Sequence, residues 1–294
     1  MEFILQALKG KNHWWRTLII TVLFIGTMGS SYFLAKDLSA EDIQRMMSPT
    51  GIKNVDLILQ LLQFGFLLGL FFALFYLLHR RSIITLTTAR PKIDFKRFFF
   101  VTFLVIILQT VFFVITYWID SSHIAWNFDS MKFFILLVIC VLLLPIQIGF
   151  EEYFFRGYLM QQIGVKTKSV WVSLIISSVF FGLAHSANPE VAEIGFKLMV
   201  FYIGTGLFLA VITLLDDGLE LPLGFHFANN LMSAILVTSD FAVLQTDAMF
   251  VYTGEADSES MFSEAVISML VTYPIFLYIL SKKYNWNWSK LLRP

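Results

Sequence analysis

Eight apolar runs divide the chain, at about 17–35, 57–78, 98–119, 131–150, 171–187, 196–215, 221–238 and 265–281. Most approach the ~20 residues that a helix needs to cross a bilayer. Spanning strands would alternate apolar and polar residues with a period of two, and these runs do not. The pattern predicts an all-α polytopic membrane protein, a bundle of about eight transmembrane helices with N- and C-termini cytoplasmic. No internal repeat or low-complexity linker breaks the chain, so 1–294 reads as a single membrane domain. Ser39 followed by Glu41 and Asp42 is a helix-capping pattern, which predicts a short surface helix over Ser39–Met47.

Composition agrees with the pattern. The chain is 57% hydrophobic and 14% charged. Soluble domains run at about 45–50% apolar and about 25% charged. Net charge is zero, which gives no reason to expect a nucleic-acid partner. Cys140 is the one cysteine and lies in an apolar run, so neither an internal disulfide nor a cysteine metal cluster is possible.

Basic residues set the orientation. With the N-terminus inside, 16 of the 21 Lys and Arg fall on the inner side, including Lys9, Lys11, Arg16, the segment 79–97, and Lys282, Lys283, Lys290 and Arg293. The loop 239–264 holds six acidic residues and no basic one, and is placed outside. The loop 216–220 is an inner segment without a cation. The segment 79–97 reads first as a topology signal, with contact to anionic headgroups as the lesser alternative. The stretch Thr17–Ala35 follows basic residues as a signal peptide would. It has the length of a span and no clear cleavage site, so it is expected to be a retained anchor. A multi-pass protein of a bacterial cytoplasmic (inner) membrane is expected.

Against this apolar background six polar residues stand out. Glu151, Glu152 and Arg156 follow Phe133–Ile148, His185 ends Val172–Ala184, and His226 and Asn230 lie inside Leu221–Val237. A lone charged side chain at the bilayer centre costs roughly 2.5–3.5 kcal/mol on insertion scales. Residues kept at that cost are candidates for chemistry. On a helix Glu152 and Arg156 share a face and can pair, whereas Glu151 points about 100° away and is left for another partner. His226 and Asn230 also share a face. Each group alone also fits a bland reading: an interfacial ion pair, a helix-end histidine, or a packing hydrogen bond. Together they hold the histidine, carboxylate and amide groups that activate water and hold an oxyanion. No HExxH, GxSxG or GxGD pattern occurs, and Gly65-x-x-x-Gly69 reads as packing.

EExxxR at Glu151–Arg156, FxxxH at Phe181–His185 and HxxxN at His226–Asn230 resemble, in this order, the three motifs of the CPBP family. That family comprises type II CAAX prenyl endopeptidases, bacteriocin-processing and immunity proteins, and Abi-type membrane proteins. The resemblance covers about 80 residues within a catalytic core at 131–238, and the first four runs carry no matching motif. It implies an intramembrane endopeptidase acting on a membrane-embedded or lipidated peptide or protein. Glu151 and His185 would position and activate water, His226 and Asn230 would stabilise the oxyanion, and Glu152 and Arg156 would act as support. Two mechanisms stay open. Glu151, His185 and His226 could ligate Zn²⁺ as a His₂Glu set with an open position. Alternatively Glu151 acts as the base with no metal. A non-catalytic immunity or scaffold protein and a small proton-coupled transporter are the competing readings. Helix 4 is expected to run from about 131 to 163, near 50 Å, and either to kink at Pro145 or to protrude inward. The site is expected to lie within the membrane, open toward the cytoplasm.

Overall fold

A computed structural model describes residues 2–255 and 257–292; Arg293, counted above among the inner cations, lies outside the described residues. The helices are α1 (Glu2–Leu5), α2 (Trp14–Ala35), α3 (Ala40–Met47), α4 (Lys53–His79), α5 (Ile84–Thr87), α6 (Phe95–Ile119), α7 (Ser130–Glu152), α8 (Gln161–Thr167), α9 (Val170–Ala184), α10 (Pro189–Ile194), α11 (Met199–Asp216), α12 (Glu220–Ile235) and α13 (Ser258–Tyr284). All eight predicted runs are helical. Among the described residues six helical stretches are long and apolar enough to cross a membrane, and the chain is a multi-pass integral membrane protein.

The two remaining runs are shorter for a physical reason. α9 has 15 residues and α12 has 16, roughly 22 and 24 Å of helix against a core of about 30 Å. α12 is packed largely inside the bundle, and α9 keeps one side exposed at Trp171, Ile175 and Leu183 while its other side packs inward. α9 lies on α11, and α12 lies on α6 and α7, while α7 also packs on α4. Enclosed helices need not match the lipid and can carry polar residues. The outer helix α2 has only 11% of its apolar window buried, against 56% for the stretch containing α11.

Close approach of α9 and α11 depends on two glycines. A Cβ at Gly182 would lie 2.9 Å from the backbone nitrogen of Ile203, and one at Gly206 would lie 2.9 Å from the carbonyl oxygen of Ser178. Small residues at such crossings let backbones meet in a membrane.

The fourth run continues past its expected inner end. Ser130–Thr167 is a single 38-residue helical stretch, roughly 57 Å long. Pro145 lies inside it without ending it. The geometry changes instead at Tyr153–Met160, which forms a π-helix. The inner end is not bare, because Gly164 packs against Ile4 from the N-terminal residues.

At the same end, Arg90 pairs with Asp216 at 2.8 Å and with Glu220 at 3.1 Å, and Arg97 pairs with Asp216 at 2.5 Å. This accounts for the inner loop without a cation: Asp216 and Glu220 take partners from the basic segment 79–97, and Asp217 pairs with Lys290 at 2.5 Å. At the opposite end, three short strands join the loops. β1 (Ile124–Trp126) runs antiparallel to β3 (Phe250–Tyr252), and β2 (Val237–Thr238) runs parallel to β3, giving the order β1-β3-β2. The expected surface helix is α3, and the Ser39 side chain caps it by accepting from the Asp42 amide.

Candidate active site

The centre of the site is Glu152. Its side chain is wholly buried, and Oε1 accepts from Arg156 Nη1 and from His226 Nδ1, both at 2.8 Å. Arg156 is also wholly buried, stacks on Phe181 with its guanidinium carbon 3.9 Å from the ring centre, and donates to the Gly206 carbonyl at 3.3 Å. A guanidinium removed from water needs such partners, because desolvation costs several kcal/mol per ion. A carboxylate, an aromatic face and a carbonyl supply them.

The imidazole of His226 sits between the two glutamates. Because a carboxylate accepts at Nδ1, the proton is assigned to Nδ1. The other nitrogen, Nε2, lies 3.6 Å from Glu151 Oε2. Glu151 Oε1 accepts from Gln147 Nε2 at 3.2 Å, and its Oε2 is buried with no hydrogen-bond partner among the described residues. Glu151 is the last residue but one of α7, and the π-helix begins two residues after it. Such segments are rare and occur frequently at functional sites.

His185 stands just past α9, where the backbone leaves the helix. Its Nδ1 donates to the Phe181 carbonyl at 2.8 Å, which leaves Nε2 as an acceptor. The ring stacks on Tyr202 with centroids 4.5 Å apart and contacts Phe181 at 4.7 Å. Asn230, one turn beyond His226, lines the same cavity, while its neighbour Asn229 accepts from Gln109 at 3.0 Å.

The structure therefore links Glu151, Glu152, Arg156 and His226 directly. His185 and Asn230 line one cavity with Glu151 and His226, and among the described residues neither is hydrogen-bonded to any of the four. The zinc set expected from Glu151, His185 and His226 is not assembled. Among the described residues no three His, Cys, Asp or Glu side chains group as a metal site. His226 Nε2 faces Glu151, but Phe181 contacts both imidazoles, 4.7 Å from His185 and 6.0 Å from His226. As placed, these residues do not fit the ion.

The cavity holds about 890 Å³, within the ~300–1,000 Å³ range of ligand pockets. Beyond the site its wall includes Ser31, Gln60, Tyr202, Ser233 and residues of the loops 187–190 and 236–244. It thus runs toward the end of the bundle that carries the acidic loops, which is the outer side on the orientation set by basic residues. This corrects the expected opening toward the cytoplasm. The inner side is closed by Phe150, Phe154 and Tyr158, all buried, and by the ion pairs of Arg90 and Arg97.

Residues 130–232 match the family described as type II CAAX prenyl endopeptidase Rce1-like. The matched segment runs from α7 into α12 and contains all six candidate residues. The match supports an intramembrane endopeptidase. The chain is also 28% identical over 256 residues to the uncharacterized protein YyaK of Bacillus subtilis (strain 168), covering 83% of this chain and 84% of that protein. No solved structure matches.

Three contributors escaped the sequence reading. Gln147 shows only a QxxxE spacing, the Gln109–Asn229 pair shows only isolated amides in apolar runs, and Tyr202 has no signal beyond being aromatic. Tyr202 holds the His185 ring, and its hydroxyl accepts from Asn188 at 3.1 Å. It acts as a positioning residue. Tyr202→Ala is expected to lower kcat roughly 10- to 100-fold with little change in KM, the scale of a small misplacement at the reacting centre. Tyr202→Phe, which keeps the stack, should retain most of kcat. Equal losses in both variants would show that the stack does not position His185.

Proposed function

We propose that this protein is an intramembrane endopeptidase that hydrolyses a peptide bond of a membrane-embedded or lipidated substrate with water activated by Glu151. The observation that carries this reading is the placement of Glu151, its Oε2 buried and without a hydrogen-bond partner among the described residues, across His226 Nε2 in a cavity shared with His185 and Asn230.

Glu151 Oε2 accepts a proton from water as the water oxygen attacks the scissile carbonyl carbon. His185, with Nδ1 tied to Phe181, offers Nε2 as a second acceptor that orients the water. The carbonyl oxygen becomes an oxyanion. The Asn230 amide donates to it, joined by His226 Nε2–H when that ring is protonated between its two carboxylates. Donors fixed in place before the reaction stabilise such charge without reorganising. The proton held by Glu151 then passes to the leaving amine as the C–N bond breaks. Glu152 and Arg156 hold the His226 tautomer and do not touch the reacting atoms.

The reading is tested in proteoliposomes carrying the full chain, with lipid-anchored and membrane-spanning peptides offered from either side. Mass spectrometry should find fragments from internal cleavage. No cleavage of any panel member by protein with a cooperative unfolding transition would overturn it.

A further inference from the structure

The cavity holds a second carboxylate that the proposed chemistry does not use. Glu190 follows Pro189 at the start of α10, five residues beyond His185, and lines the same cavity. Its Oε2 is buried with no hydrogen-bond partner among the described residues, and no ion pair to it forms among them. The backbone N–H groups of Glu190 and Val243 lie beside the carboxylate and favour its charged form. Burial outweighs them and pushes its pKa up to about 7. Unpaired buried carboxylates are rare and ask for an explanation. Tyr202, Glu190 and Glu151 line the same cavity, and Asn188, two residues before Glu190, donates to the Tyr202 hydroxyl at 3.1 Å.

The rest of that wall narrows the explanation. Among the described residues no lysine or arginine lines the cavity. Besides the two carboxylates and the two imidazoles of the site, its polar residues are amides and hydroxyls, among them Gln60, Gln63, Asn188 and Ser233. Carboxylates with no lysine or arginine beside them attract positive groups and repel negative ones. A cation taken out of bulk water is accepted only where a carboxylate waits for it.

We propose that Glu190 forms a specificity subsite that receives a lysine or arginine side chain of the substrate, a short distance from the bond facing Glu151. The inference rests on the endopeptidase reading and names its substrate class: a peptide with a basic residue near the scissile bond. A free C-terminal carboxylate meets no lysine or arginine in this cavity among the described residues.

Binding decides this separately from cleavage. The full chain carrying Glu151→Gln is placed in nanodiscs and titrated with lipid-anchored peptides that differ at one scanned position, bearing Lys, Gln or Glu. At one position the Lys peptide is expected to bind at least about 10-fold tighter than the Gln peptide, with the Glu peptide weakest. Adding Glu190→Gln should abolish the difference, and adding Glu190→Lys should reverse it in favour of Glu. Equal binding of the three peptides at every position, or a Lys preference that survives Glu190→Gln, would overturn the proposal. Glu190→Gln keeps the side-chain shape, and an unchanged unfolding transition verifies the fold. If the wild-type chain cleaves no peptide while the Lys preference follows Glu190, the endopeptidase reading fails and the subsite stands.

Discussion

Glu151→Gln is expected to reduce peptide cleavage by about 10³-fold or more while the protein stays folded. A positioned general base contributes typically 10²–10⁴-fold, and the same carboxylate also returns the proton to the leaving amine. The amide keeps the shape of the carboxylate, and its oxygen can still accept from Gln147. It cannot take a proton from water. The new amide nitrogen takes the place of Oε2, where the unprotonated Nε2 of His226, 3.6 Å from that oxygen, can accept from it after a small shift. Stability should change by less than about 1 kcal/mol. If Glu151 were a packing residue, the two effects would be exchanged: activity kept and stability lost. Initial rates and the unfolding midpoint, measured on one preparation, separate the two.

Arg156→Ala carries the second large effect, and it falls on folding. The substitution leaves Glu152 in a site with no exposure to solvent and removes the guanidinium that balances its charge. It also strips the cation from the face of Phe181 and the donor from the Gly206 carbonyl. Breaking a buried ion pair from one side costs about 3–5 kcal/mol, whereas an exposed pair is worth about 0–1. A destabilisation in the larger range is expected, with loss of activity because His226 shares Oε1 of the same carboxylate. Arg156→Lys keeps the charge but not the planar fork that serves Glu152, Gly206 and Phe181 together. It should fall between wild type and Arg156→Ala. A loss below 1 kcal/mol for Arg156→Ala would mean that Glu152 finds another partner or takes up a proton.

Much of this arrangement was readable before any coordinates. Long apolar runs became helices because a backbone in lipid has few other ways to satisfy its polar groups. The Glu152–Arg156 contact is a nearest-neighbour property of helical spacing. What the sequence hid depends on contacts between distant residues. The π-helix at Tyr153–Met160 leaves no mark in composition, so the pairing of Glu152 with His226, 74 positions away, could not be computed from helical angles. Nor does spacing reveal that Arg90 and Arg97 reach across to Asp216, or that Tyr202 stacks on His185. The side on which the cavity opens was misjudged for the same reason. Depth along single helices does not say which end the neighbouring helices close.

The account rests on a water activated by Glu151, with no step assigned to a metal, since the candidate ligands are not grouped to hold one. The most direct test is the cleavage rate of the purified, reconstituted protein before and after exhaustive chelation, with metal content measured on the same samples. The account predicts an unchanged rate in protein freed of metal. A rate that falls with metal content and returns in proportion to added Zn²⁺ would contradict it.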